Sequence, residues 1–325
     1  MYNGGRVMNR LIELPFTDWS PAIAERESRR LAGELELGKV LFLPGLGFEL
    51  KASEARFLDP RWLSGTHKSV SYEPVRAAAT GGVRGAQGEP AELAELAAMI
   101  ARFQTGALAL IHALFPGYVA QLRMAPTSFR PGNVESHKLS WRKDDTLLHI
   151  DSFPSRPNRG ERILRVFTNV HPGTVDRVWK VGDLFEQTAA EFQDRVRPQL
   201  PGSAALLKAL GITKSRRSKY DHCMLGIHDA MKQDAVYQAR ASHLTVGFPP
   251  GSTWVCFSDQ TAHAALSGQF MMEQTLHLPI DALYFPERSP LKVLERLKGR
   301  ALARGLAWAC GCSQIWDNSP ISLLF

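Results

Sequence analysis

Three residues of this 325-residue chain have the types and surroundings to hold a metal: His149, Asp151 and His263. His149-Ile150-Asp151 is the one His-x-acid step in the sequence. Chance alone supplies about one such step, given ten histidines and 32 acids in 325 positions, so context must carry the reading. The step ends an apolar run, Thr146 to Asp151, and on a strand residues i and i+2 point to one face. Imidazole and carboxylate then project into the same space. His263 lies 114 residues later, just before a short strand-like run, Ala264 to Leu266. In a jelly-roll, two such distant strands face each other. Two neutral imidazoles and one carboxylate on one side of a metal suit iron(II) and leave coordination positions open for a co-substrate and O2. A buried histidine bonded to backbone is the plainer alternative for His263 taken alone.

An oxygenase of this type usually draws two electrons from 2-oxoglutarate. The far carboxylate of that molecule needs a buried cation, preferably a guanidinium. Many such enzymes carry the cation about ten residues after the second histidine. Here no Arg or Lys occurs between Ala264 and Glu287. Arg165 is the strongest substitute. It interrupts the apolar run Ile163 to Val170, where a lone charge is costly unless paired. Arg130 and Arg162 are weaker candidates for the same task. The loop Ser152 to Gly160 follows the presumed ligands and holds Arg156 and Arg159, which suits an anionic substrate or simply a solvated turn. A further cluster, Tyr220 to Lys232, contains His222, Cys223 and His228. The six-residue step between its histidines puts them on different helical faces, so packing is the better reading.

These residues need a scaffold. Ser20–Leu35 reads as a helix with Pro21 in its first turn. Lys39–Leu43 reads as a strand, and Ala91–Leu114 as the best helix, from apolar residues at three- and four-residue spacing. From Val119 onward short strand-like runs alternate with turns: Leu147–Asp151, Ile163–Val170, His243–Phe248, Thr253–Phe257, Ala264–Leu266 and Phe270–Leu276. The expected fold is α+β: a double-stranded β-helix (jelly-roll, cupin-like) core with flanking helices and a helical insert. Three regions are expected. Residues 1–118 form an N-terminal α/β region packing on the core. Residues 119–289 form the catalytic core with an insert at about 181–241. Residues 290–325 form a basic helix and an apolar tail.

Composition excludes other classes. Apolar residues make up 44% and charged residues 22%, which is ordinary for a folded soluble chain and wrong for a disordered one. The most apolar stretch, Thr105 to Ala120, carries His112, Pro116 and Gly117, so no membrane span is expected. The N-terminus lacks a signal-peptide core. Four scattered cysteines make no disulfide framework, and a reduced, cytoplasmic setting is expected. A net charge of +7 suits an acidic partner, but no nucleic-acid motif is present. The helix Pro290–Arg304 is basic and amphipathic. It either packs on the core or touches an anionic inner membrane peripherally.

The run from His149 through Arg156, Arg159, Arg162 and Arg165 to Val170 resembles the Kdo hydroxylase family. So do Tyr220–Lys232 and Ser258–His263, and the likeness covers about Leu37 to Glu287. The resemblance implies an iron(II)- and 2-oxoglutarate-dependent dioxygenase of Gram-negative bacteria, with O2 as co-substrate and ascorbate as an auxiliary reductant. It implies hydroxylation of C3 of the Kdo (3-deoxy-D-manno-oct-2-ulosonic acid) sugar of Kdo-lipid A to give Ko, with succinate and CO2. Two rivals remain open at this point: the same oxygenase class acting on another substrate, and a non-enzymatic cupin-like sugar- or lipid-binding module.

Overall fold

The central strands, Val40–Leu43 and Thr253–Phe257, are buried along their whole length, which asks for cover on two faces, and the chain supplies it in layers. The computed structural model describes residues 9–74, 82–134 and 140–303. A mixed sheet of eight strands runs in the spatial order β1 (Leu11–Glu13), β2 (Val40–Leu43), β9 (Thr253–Phe257), β6 (Arg162–Asn169), β11 (Met271–Leu278), β5 (Arg123–Arg130), β3 (Val70–Tyr72) and β4 (Val83–Arg84). A smaller sheet holds β10 (His263–Ser267), β7 (Arg177–Val181) and β8 (Leu244–Phe248), in that order. Only β1 and β2 run parallel; the other described pairs are antiparallel.

The two sheets pack face to face. Val40, Phe167, Trp254 and Met271 from the large sheet share one apolar cluster with Trp179, Phe248 and Ala265 from the small one. Phe248 stacks on Trp254 at a centroid distance of 4.1 Å, which closes the layer. The other face of the large sheet presents Leu41, Leu164, Val166, Val255 and Leu276 to α1 (Glu25–Glu36) and α2 (Pro90–Leu114). Glu89 and Glu92 start α2 as a reciprocal cap with Pro90 in its first turn. Its length and apolarity would also let it cross a membrane, but Leu96, Ile100, Phe103, Ala107 and Leu110 are buried in the core. A third cluster sits beside the small sheet. It joins α3 (Phe185–Phe192), α5 (Lys219–Gln233) and α6 (Ala235–Arg240) of the insert, which also contains the short α4 (Ser203–Ala209), to α7 (Pro290–Lys298).

Several expectations shift by a few residues. The first helix starts at Glu25, because Pro21 to Ala24 stay non-helical and Ala24 is extended. The run Leu147–Asp151 is not a strand: it pairs only once, at His149. Strand β5 was hidden by Pro126, which sits where β5 spends one residue more than β11, opposite Gln274 to Leu276. The N-terminal region does more than pack on the core, since β1 to β4 are hydrogen-bonded into the large sheet. The apolar face of α7 (Leu291, Val293, Leu294) is buried, so this helix packs rather than offering that face to lipid. The tail from residue 305, with Cys310 and Cys312, lies outside the described residues.

Arg162 was a candidate anchor, and the structure corrects this. It lies an odd number of residues from Arg165 on β6, so its side chain takes the opposite face of the sheet. There it is fully buried, with Nε 2.8 Å from Asp259 Oδ2 and Nη2 2.6 Å from Gln260 Oε1. Replacing one partner of such a pair strands a buried charge. Arg162→Ala is expected to lose about 3–5 kcal/mol of stability, read as a lower urea midpoint, with metal stoichiometry retained in the protein that stays folded.

Candidate metal centre

The centre forms where an extended segment meets the edge of β10. The His149 N–H donates to His263 O at 3.0 Å, and the His263 N–H donates to His149 O at 2.8 Å. Two residues on, the Asp151 N–H donates to Ser258 O at 2.8 Å. The free edge of the segment is held by a side chain: Gln238 of α6 accepts from Leu148 N–H and donates to Leu148 O. Alternation then sorts the side chains. Leu148, Ile150, Ala262 and Ala264 join the insert's apolar cluster, so His149, Asp151 and His263 turn together to the other side.

Each imidazole is oriented through Nδ1, which lies 2.7 Å from Leu147 O in His149 and 2.8 Å from Thr261 O in His263. A proton on Nδ1 leaves Nε2 as the lone-pair atom. One ligand atom from each of His149, Asp151 and His263 lies within 4.8 Å of the others. Trp179 stacks on the His263 ring at 5.1 Å, and His228 stands edge-on to His149 at 5.6 Å. His228 therefore borders the centre, while His222, on another face of α5, bonds to Arg197 O.

The electrostatics match a metal. Burial pushes the His149 pKa down to about 3, helped by His263 and Lys232, and burial also lowers that of His263. Burial alone would raise the pKa of Asp151, but Arg165 and the two imidazoles outweigh it and hold the carboxyl well below its usual range. Asp151 Oδ2 is buried and receives no hydrogen bond, although Arg165 Nη2 lies 3.0 Å away as an ion pair. Two neutral imidazoles and a bare carboxylate are the forms that bind a divalent ion. The donor set is borderline and fits iron(II).

Beside the triad lies a patch of cations. Arg165 bridges Asp151 to Glu273, its Nη1 being 3.0 Å from Glu273 Oε1. Arg130 Nη2 lies 3.1 Å from Glu273 Oε2, and Arg177 is buried near both. Glu273 stands ten residues after His263, where related oxygenases often carry the cation. The cations around Glu273 stand on β5, β6 and β7. Arg177 was not foreseen; its signal was a charge opening an alternating strand, Arg177 to Val181. Burial, reinforced by Arg130, pushes its pKa down to about 9. Its Nη1 donates to Gly268 O at 2.9 Å. That approach requires Gly268, which has φ +113° and where a Cβ would lie 2.9 Å from Arg177 Cα. Arg130, Arg165 and Arg177 each keep an Nε–H without an acceptor among the described residues. Arg130 and Arg177 line a pocket of about 300 Å³ with Lys68, Asp145 and Thr146.

Two histidines and a carboxylate on one face, with guanidinium groups beside it, two of which line a neighbouring pocket, define a mononuclear non-haem iron(II) oxygenase. A profile of the family described as 3-deoxy-D-manno-oct-2-ulosonic acid (Kdo) hydroxylase matches residues 18–301, and the chain belongs to that family. Three crystal structures of the Kdo hydroxylase KdoO, a non-haem Fe(II) alpha-ketoglutarate-dependent dioxygenase, are similar to it. The complex with alpha-ketoglutarate and Fe(III) is 41% identical, covers 90% of this chain and 97% of that one, and has a TM-score of 0.85. The complex with cobalt(II) is 40% identical over 93% and 100%, at 0.88. The complex with succinate and Fe(III) is 40% identical over 93% and 100%, at 0.86. No curated protein sequence matches the chain.

Two outcomes are expected. His149→Ala and His263→Ala each abolish stoichiometric iron(II) or cobalt(II) binding, checked by metal analysis after gel filtration. In the metal-free protein the His149 pKa, about 3 when folded, lies below its unfolded value near 6.5. The unfolded chain therefore takes up this proton first as pH falls, and stability declines from about pH 6.5 toward pH 3. Denaturation across that window should show a shallower decline in His149→Ala.

Proposed function

We infer that the chain is an iron(II)- and 2-oxoglutarate-dependent dioxygenase that hydroxylates C3 of the Kdo sugar of Kdo-lipid A, giving Ko, succinate and CO2. The observation that carries this reading is the face of His149, Asp151 and His263 with three guanidinium groups beside it, Arg177 buried and Arg130 and Arg165 half-buried, in a chain of the Kdo hydroxylase family. The two facing sheets, with the ligands at the edge of the smaller one, support a double-stranded β-helix core. We take the chain to act in the cytoplasm.

Bound iron(II), with 2-oxoglutarate and O2, supplies the oxidising chemistry that the side chains lack. The protein positions and excludes. His149 and His263 offer Nε2, and Asp151 offers the carboxylate that balances part of the metal's charge. Arg130, Arg165 and Arg177 supply the cationic floor for the distal carboxylate of 2-oxoglutarate; Glu273 pins two of them and keeps excess positive charge in check. Arg165 also touches Asp151, so one guanidinium fixes both the metal ligand and the co-substrate end. Arg156 and Arg159, on the loop after Asp151, are the cations we assign to the sugar's carboxylate. The Arg159 N–H donates to Asp221 of α5 at 2.8 Å, which anchors that loop to the insert.

With iron(II), ascorbate, 2-oxoglutarate and Kdo-lipid A, the protein should form succinate and a lipid heavier by one oxygen atom, and neither should appear with His149→Ala. Succinate without the lipid product would keep the oxygenase and discard Kdo. Arg177→Gln should raise the KM for 2-oxoglutarate by about 10–100-fold, the loss of one charge-assisted hydrogen bond. Its iron content should stay unchanged, which separates anchoring of the co-substrate from metal binding.

A further inference from the structure

The insert carries a tip, from Pro198 to Lys214, that the chemistry above does not use. Short helix α4 buries none of its residues. Four large apolar side chains stand out here: Leu200 (75% exposed), Leu206 (59%), Leu210 (63%) and Ile212 (49%). They belong to one folded unit. The Ser203 N–H returns to Leu200 O, Leu210 N–H to Leu206 O, and the N–H groups of Ile212 and Thr213 to Leu207 O. Most other exposed large apolar residues are scattered singly, whereas these cluster within thirteen consecutive positions.

The charge around the tip has one sign. From Arg195 to Lys219 there are seven Lys or Arg and no Asp or Glu. Lys208, Lys214, Arg216 and Lys219 are exposed. At the foot of the tip opens a cavity of about 640 Å³, where Arg197, Lys219, Lys298 and Arg300 face one acid, Asp194, and Leu200 forms part of the apolar wall. The tip is also tied to the metal centre. The Lys214 N–H donates to Ser155 O at 2.9 Å and Arg217 Nη2 to Pro154 O at 2.8 Å, both on the loop that follows Asp151.

Exposed leucines ringed by cations fit few partners. A two-fold contact between copies would set each ring of cations against its own image. An anionic bilayer matches both features, since leucines enter the acyl boundary while Lys and Arg meet headgroup phosphates. We propose that this tip docks the chain on an anionic phospholipid bilayer, with Leu200, Leu206 and Leu210 inserted and the four cavity cations holding headgroup phosphate. Docked so, the loop after Asp151 faces the bilayer and a lipid-linked sugar in it. That orientation rests on the Kdo-lipid A reading; the docking does not.

Full-length protein is mixed with phosphatidylcholine vesicles, with or without phosphatidylglycerol, and sedimented. The wild type should partition onto the anionic vesicles alone, and less so at high salt. The triple variant Leu200→Ser/Leu206→Ser/Leu210→Ser, its fold checked by circular dichroism, should partition on the order of tenfold more weakly. Its turnover of vesicle-borne Kdo-lipid A should fall with it, while turnover of a soluble deacylated Kdo glycoside stays at the wild-type level. Equal partitioning of wild type and variant overturns the proposal, as does equal binding to neutral vesicles. A wild-type dimer that the variant dissolves overturns it too, in favour of a contact between copies. Leucine-dependent vesicle binding without turnover of either Kdo substrate upholds the docking and removes the substrate reading instead.

Discussion

Two backbone hydrogen bonds, between His149 and His263, set the geometry on which the centre depends. They place two residues 114 positions apart directly opposite each other, and strand alternation adds Asp151 on the same side. The segment that carries His149 and Asp151 has too few partners to be a strand. It keeps its place because Gln238 satisfies the other edge of Leu148 and because Leu148 and Ile150 are buried under the insert helices. A single polar side chain thus substitutes for a neighbouring strand. The insert is therefore part of the metal site, although none of its residues offers a ligand atom to the triad.

Charge sets the second constraint. Asp151 is shared between the metal position and Arg165, Arg165 is shared with Glu273, and Glu273 is shared with Arg130. Each buried charge in this chain is stabilised by the next and would be costly alone. The arrangement also sets protonation: Asp151 stays ionised despite its burial, and the histidines stay neutral because of theirs. An acid at the usual cation position is then consistent with carboxylate binding. Glu273 organises guanidinium groups delivered from neighbouring strands, and the pocket lining sets Lys68, Arg130 and Arg177 against Asp144 and Asp145.

The chemistry of the centre was more legible in the sequence than its scaffold. His149, Asp151 and His263 could be found because alternation and the apolar runs around them survive in one dimension. Arg165 was visible as a charge inside an apolar strand. Arg162 was not separable by residue type, but its odd spacing from Arg165 assigns it to the other face. Arg177 was missed because β7 and β8 flank the helical insert and the hairpin pairing between them is non-local. Strands β1, β3 and β4 were missed because they have only two or three residues with proline or glycine close by, and the eight-residue β5 because Pro126 interrupts it; all gain their stability from pairing rather than from propensity.

The helical insert links the remaining parts. Helix α5 begins with a reciprocal cap between Ser218 and Asp221, and the same Asp221 carboxylate receives the backbone of Arg159 in the loop beyond the metal ligands. Two turns further along, His228 of α5 lies edge-on to His149. Before α5, the chain contacts that loop again through Lys214 and Arg217. The loop is thus held by α5, which touches the metal centre through His228, and by the segment before it, which carries the exposed leucines. The ties between the tip and the ligands are one backbone hydrogen bond, from Lys214, the side-chain hydrogen bonds of Arg217 and Asp221 to the loop, and the ring contact of His228 with His149. A surface on this insert is therefore coupled to the orientation of the centre through the loop that follows Asp151.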